Sequence, residues 1–158
     1  MKLQATTDYA VRILGYLYRR DYKKARGEDI ARELGITFLY FMKIAQVMRN
    51  GGLIASVQGC NGGFLLKKRA DQVSVYDVVK VMEGDILTAR FFEDEERNKE
   101  NCPVLGYWKT VREAMTFMMK NTTIADIYDR KADRAGGSGK RKMYRGWKEQ
   151  ASQKKALV

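Results

Sequence analysis

The residues best suited to chemistry in this chain lie between Thr37 and Lys68, and their types suit recognition rather than bond-making. Thr37 is a helix-capping residue. Helical spacing then places Phe38, Leu39, Met42, Lys43, Gln46 and Arg49 on one face and Phe41, Ile44, Ala45 and Met48 on the other. Cations and amides on such a face suit phosphates and base edges, and an apolar residue there can meet a thymine methyl. The alternative for Phe38 and Leu39 is packing beneath the following hairpin or the first helix. Farther on, Gln58 and Asn61 stand among Gly59, Gly62 and Gly63. Those glycines permit positive φ and let backbone approach a phosphate closely.

Catalytic machinery is missing from the sequence. The chain has no histidine, no nucleophile motif and no metal-ligand cluster. The acidic run at 93–96 reads as a solvated loop rather than a paired acid and base. No Gly-Lys-Ser/Thr helix start follows the glycines, so they do not form a nucleotide-phosphate loop. An enzyme is therefore not expected. The two cysteines, Cys60 and Cys102, do not make a disulfide framework. Cys60 has Lys67, Lys68 and Arg69 nearby in sequence, and cations favour thiolate. Oxidation there would disturb the glycine turn. Cys60 and Cys102 are the redox candidates, with an incidental cysteine as the alternative at 60.

The elements that must position the Thr37–Lys68 segment are legible on both sides of it. A first helix is expected to start near Thr6-Thr7-Asp8, with Tyr9, Val11, Ile13, Leu14 and Leu17 at helical spacing. A basic, mobile loop follows over 19–27. Glu28 to Leu34 reads as a short helix closed by Gly35. Short helix, glycine turn, Thr cap and second helix make the helix-turn-helix grammar. The glycine pair Gly51-Gly52 ends the second helix. Leu53 to Val57 and Phe64 to Leu66 then read as the strands of a β-wing. Val73 to Glu83 is a helix with Ser74 as its cap, and Gly84 ends it. Beyond Cys102-Pro103 a long helix runs from about Leu105 to Asn121. Its Trp108, Val111, Met115 and Met118 form an apolar stripe that suggests a dimer seam as well as core. Thr122 or Thr123 caps a last short turn.

The fold expected is mainly α with a small β-wing: a winged helix-turn-helix domain over 1–84, an effector loop and dimerisation helix over 85–130, and a flexible basic tail over 131–158. The net charge of +11 is uneven. Residues 1–70 hold 13 Lys/Arg against 5 Asp/Glu, residues 71–129 hold 7 against 12, and residues 130–158 hold 10 against 2. A basic head of this kind attracts a polyanion, with double-stranded DNA the expected partner and an RNA-binding basic protein the alternative. Lys140 to Lys148 either contacts phosphates or is a solvated tail. With no long apolar run and no signal-peptide pattern, a cytoplasmic protein without membrane contact is expected.

Several short segments resemble the Rrf2 family of bacterial winged-helix transcription regulators. They are Met1-Lys2-Leu3, Tyr9-Ala10, Ile30-Ala31, Gly35-Ile36-Thr37, Tyr40, Gly51-Gly52-Leu53 and Gly59 with Gly62-Gly63-Phe64. They continue with Asp77-Val78-Val79, Glu83-Gly84, Cys102 before Trp108, and Thr123-Ile124-Ala125-Asp126. The resemblance covers about residues 1–128. It implies a homodimer that binds palindromic operator DNA and represses or activates genes. The DNA-contact set expected on this footing is Lys2, Thr7, Thr37, Phe38, Leu39, Tyr40, Lys43, Gln58, Gly59, Asn61 and Gly62. Where relatives often carry an arginine before the wing glycines, this chain has Gln58, which keeps hydrogen bonding and loses the charge. Many members hold an iron–sulfur cluster on three closely spaced cysteines. Here only the last is matched, by Cys102. Leu105 stands where one branch has a histidine ligand, and Asp8 where some relatives supply a carboxylate. No cofactor is expected, with a cluster-sensing regulator as the alternative. Other branches sense thiol redox state or cysteine metabolism through a partner enzyme, and this chain resembles those more closely.

Overall fold

The computed structural model describes residues 4–59, 61–84 and 103–129. Lys2, Cys60, residues 85–102 with Cys102, and residues 130–158 lie outside the described residues, as does the side chain of Leu105; the expected effector loop and basic tail fall there. In order the elements are α1 (Ala5–Tyr18), α2 (Gly27–Glu33), α3 (Phe38–Asn50), β1 (Ile54–Val57), β2 (Gly63–Leu66), a short 3-10 turn (Ala70–Gln72), α4 (Val75–Glu83), α5 (Pro103–Lys120) and α6 (Ile124–Asp129). Ala10, Ile13, Leu14 and Leu17 of α1 pack with Ile30 of α2 and with Phe41, Ile44 and Met48 of α3 in one core.

Helix α1 departs from the expected start. Its N-cap is Gln4, which makes no side-chain cap, and Thr7 lies inside the first turn. The cap comes from far along the chain. One carboxylate oxygen of Glu83, at the end of α4, accepts from the Gln4 backbone N–H at 2.9 Å and from the Thr7 hydroxyl at 2.5 Å. Orphan amides at a helix start must find partners, and here a distant carboxylate serves.

Two αL glycines terminate the helix-turn-helix pair. Gly35 has φ +65°, and the Ile36 N–H reaches back to Ala31 O at 3.0 Å. Gly52 has φ +72°, and Leu53 N–H reaches Met48 O at 2.9 Å. Both are Schellman closures with a buried or half-buried apolar residue just beyond them. Thr37 caps α3 by accepting from the Tyr40 N–H at 3.2 Å.

The wing is an antiparallel pair with Ile54 opposite Leu66 and Val57 opposite Gly63. A third segment joins it. Ala25 and Phe64 exchange both backbone hydrogen bonds, at 2.9 and 2.8 Å. The loop expected to be mobile is thus pinned to β2, and a second tie runs from the Ala70 N–H to the Tyr22 hydroxyl at 3.4 Å. Asp21 and Tyr22 hold left-handed φ values of 53° and 61° to make that path.

Ser74 and Asp77 form a capping box on α4. Thr123 and Asp126 repeat the motif on α6. Helix α6 returns to α1, where Tyr128 lies so close over Gly15 that a Cβ there would overlap its ring. Burial pushes the Tyr128 phenol above its ordinary pKa, and the Asp129 hydrogen bond does the same for Tyr18.

Candidate nucleic-acid interface

Helix α3 has two sharply different faces. Phe41, Ile44, Ala45 and Met48 are buried, as the spacing predicts. Opposite them Leu39 is 70% exposed, with Phe38, Met42, Lys43, Gln46 and Arg49 also exposed. The two readings of Phe38 and Leu39 separate here. The Phe38 ring stacks on Phe41 with centroids 6.3 Å apart, and Phe41 in turn meets Phe64 of the wing edge-on at 5.1 Å. Phe38 is therefore partly packed on Phe41, whereas Leu39 is the more exposed of the two. Gly27 makes this packing possible, because a Cβ there would lie 2.8 Å from both the Phe38 and Phe41 rings.

Between α3 and the wing runs a cleft of about 200 Å³ lined by Leu39, Met42, Lys43, Gln46, Arg49 and Phe64. Arg49 closes one end by donating to the Ser56 hydroxyl at 3.4 Å. At the wing tip Gln58 and Asn61 are exposed. Gly59 has φ +99°, and a Cβ on Gly62 would run into the carbonyl oxygens of Val57 and Gly59. The tip is therefore built from glycine by necessity, and it offers bare backbone on its outer side.

Three expected contact residues take other positions or carry double duty. Thr7 is 2% exposed and donates its hydroxyl to Glu83, so it stabilises the fold rather than facing a ligand. Tyr40 is half-buried, with its ring edge-on to Tyr9 of α1 at 5.7 Å, and it does not share the outward face of Leu39. Thr37 is exposed and uses one lone pair on the Tyr40 amide, which leaves its O–H free to donate. Lys2 lies outside the described residues. One feature absent from the sequence reading is a second, cationic cleft on the far side of β2, lined by Arg20, Lys24 and Arg26. The alternation of a strand across Lys24-Ala25-Arg26 signals it, but only once Ala25 is known to pair with Phe64.

Helix α5 carries the expected seam residues on its surface. Trp108 is 47% exposed and Met118 40%, while Val111 and Met115 are half-buried. Tyr107, 63% exposed, meets the Trp108 ring edge-on at 5.4 Å. The opposite side packs on α4, with Lys120 Nζ 4.9 Å from the Tyr76 ring centroid.

The donor set does not fit an iron–sulfur cluster. Such clusters take about four ligands, mainly thiolates, and the whole chain has two cysteines and no histidine. Asp8 is exposed and paired with Arg12 at 2.8 Å. Among the described residues no group of three or more His, Cys, Asp or Glu is placed to hold a metal ion. Cys60 and Cys102 lie outside them. None of the described helices is long and apolar enough to cross a membrane.

A glycine-closed helix-turn-helix, a recognition helix with an exposed mixed face and a glycine-tipped hairpin together define a winged helix-turn-helix DNA-binding regulator. More narrowly, the chain belongs to the Rrf2 family, described as an iron-dependent transcriptional regulator, which residues 3–130 match. Protein aau3 of Rhizobium meliloti (strain 1021) is 38% identical over 133 residues, spanning 80% of this chain and 84% of that protein. The HTH-type transcriptional regulator CymR of Bacillus subtilis (strain 168) is 29% identical over 100 residues, spanning 63% and 69% respectively. The fold is shared with the solved structure of CymR (YrzC), the global cysteine regulator of B. subtilis, at a TM-score of 0.69 and 22% identity over 82% of this chain and 97% of that one. It is shared likewise with T. potens IscR, at 0.68 and 22% over 87% and 93%. The protein is a DNA-binding transcriptional regulator and not an enzyme.

Proposed function

We propose that the chain works in the cytoplasm as a homodimeric repressor of a palindromic operator, with one α3 in the major groove of each half-site. Leu39, Lys43, Gln46 and Arg49 face the bases and phosphates there. Gln58, Gly59, Asn61 and Gly62 reach the flanking minor groove or backbone, and the Thr37 hydroxyl donates to a phosphate. The observation that carries this reading is the outer face of α3, where Leu39 stays 70% exposed among cations and an amide while the inner face is fully buried. An apolar side chain in that company has more to gain from a thymine methyl than from water. The stripe of Trp108, Val111, Met115 and Met118 supports the dimer.

The signal is read without an iron–sulfur cluster, through thiol redox state at Cys60 or Cys102 or through a metabolic partner protein. The count of two thiols in the chain supports this. Selection of bound sequences from random duplex DNA, with and without oxidant, tests the operator. Enrichment of a two-fold symmetric site is expected, and enrichment of an asymmetric site or of none overturns the reading. Protein purified without oxygen is expected to be colourless and free of stoichiometric iron. A brown protein with acid-labile sulfide overturns the cofactor reading, and Cys102 and Asp8 are then the first ligands to substitute.

A further inference from the structure

We propose that the cleft between the α1–α2 loop and the wing turn grips a phosphate of the DNA backbone, extending the interface past the wing. This rests on the reading of the head as DNA-binding and assigns it cations that α3 and the wing do not supply. The cleft has a volume of about 370 Å³ and is lined by Arg20, Lys24, Ala25, Arg26, Asp29, Asn61 and Gly62. Three of these are cations. The one carboxylate, Asp29, is already ion-paired with Arg32. Neither Lys24 nor Arg26 forms an ion pair with a described residue. Arg20 is braced instead, its guanidinium 3.5 Å from the Tyr16 hydroxyl and 5.8 Å from the ring centroid.

The backbone explains why these charges converge. Ala25 is bridged to Phe64 by two hydrogen bonds, so residues 24–26 behave locally as an edge strand. Side chains alternate along a strand. Ala25 is 4% exposed and belongs to the core while still edging the cleft, and Lys24 and Arg26 flank it there. The opposite wall is the wing turn, where Gly62 has no room for a Cβ and Asn61 presents an exposed amide. Cations held around one concavity repel each other within a Debye length of about 10 Å, and a bound anion offsets that repulsion. The lining offers no aromatic platform for a base, so its chemistry suits an oxyanion alone. A free phosphate shares that chemistry. Position favours the DNA backbone, because β2 supplies Phe64 to the reading cleft while the turn leading into it walls the cationic one.

The test uses the full chain carrying Lys24→Gln and Arg26→Gln together. Affinity is measured for the selected operator and for a scrambled duplex across a salt series. Both affinities are expected to fall by the same factor, and the slope of log K against log salt to become shallower by about one to two units. The charge-conserving pair Lys24→Arg and Arg26→Lys should restore the slope. A neutral methylphosphonate walked along the duplex should reveal one position per half-site that weakens wild type and leaves the Gln variant unmoved. A folded Gln variant with unchanged slope overturns the proposal. So does saturable binding of inorganic phosphate that needs Lys24 and Arg26 while the DNA slope stays constant, which would mark a small-anion site. The reading head fails separately, when Leu39→Ala and Gln58→Ala leave operator preference intact.

Discussion

Helix α3 keeps four residues of its inner face at 1% exposure or less, whereas none of the described side chains of α5 is fully buried. Yet both helices leave large apolar groups in water, Leu39 on the first and Trp108 on the second. The difference lies in what holds each helix. Helix α3 is fixed on one side by Phe41, Ile44 and Met48 and at its start by Thr37, so its outer face is free to be selected for a ligand. Helix α5 leans on α4 along one side and has Val111 and Met115 only half-covered. Its aromatic and methionine stripe carries few charges among its exposed groups, and at about 25 cal/mol per Å² of apolar area it favours another apolar surface. One helix is finished by its own chain; the other, on the proposed reading, is completed by a second copy.

The comparison breaks most visibly if the inner face of α3 proves dispensable. Phe41→Ala is expected to lower the unfolding free energy by about 3–5 kcal/mol, read by urea denaturation, because it removes the buried ring that joins α3 to Phe64 of the wing. A loss under about 1 kcal/mol would mean that α3 is held by something else. Next in size is the seam. Val111→Glu with Met115→Glu is expected to give helical monomers in sedimentation, with operator affinity down by about 100-fold through lost bivalency. A dimer of unchanged stability would assign the stripe to the chain's own core.

The outer face of α3 sharpens the contrast. Leu39→Ala or Gln58→Ala should cost about 1–3 kcal/mol on the selected operator and nothing on scrambled duplex, while stability stays constant. The smallest effects separate a neutral residue that caps α3 as well as touching a phosphate from a charged contact alone. Thr37→Ala should cost about 1 kcal/mol of stability through the lost cap. Lys43→Ala should leave stability alone and lower the salt slope by about one unit. Equal behaviour of those two variants in both assays would erase the distinction.

The local devices were legible in the sequence. Helical spacing separated the two faces of α3, Gly35 and the Gly51-Gly52 pair marked its flanks, and Thr37, Ser74 and the Thr122-Thr123 pair marked three helix starts. Each depends on residues within a few positions of one another. What escaped depends on pairs far apart. Thr7 read as a DNA contact because Glu83 could not be seen reaching it. Tyr40 read as outward because Tyr9 lies on another helix. The 19–27 loop read as mobile because its ties are Phe64 and Ala70. The cationic cleft was hidden for the same reason: its walls are some 35 residues apart, at Arg26 and Asn61.

The carboxylate of Glu83 on the first turn of α1 has a consequence for synthesis. A 14-residue helix without a local cap is marginal by itself in water. On the ribosome its first turn cannot be completed until Glu83, 79 residues after Gln4, has been added. At about 5–20 residues per second that interval is roughly 4–16 s. Throughout it the first turn lacks its Glu83 partner, and α6, whose Tyr128 covers Gly15 of α1, is made later still.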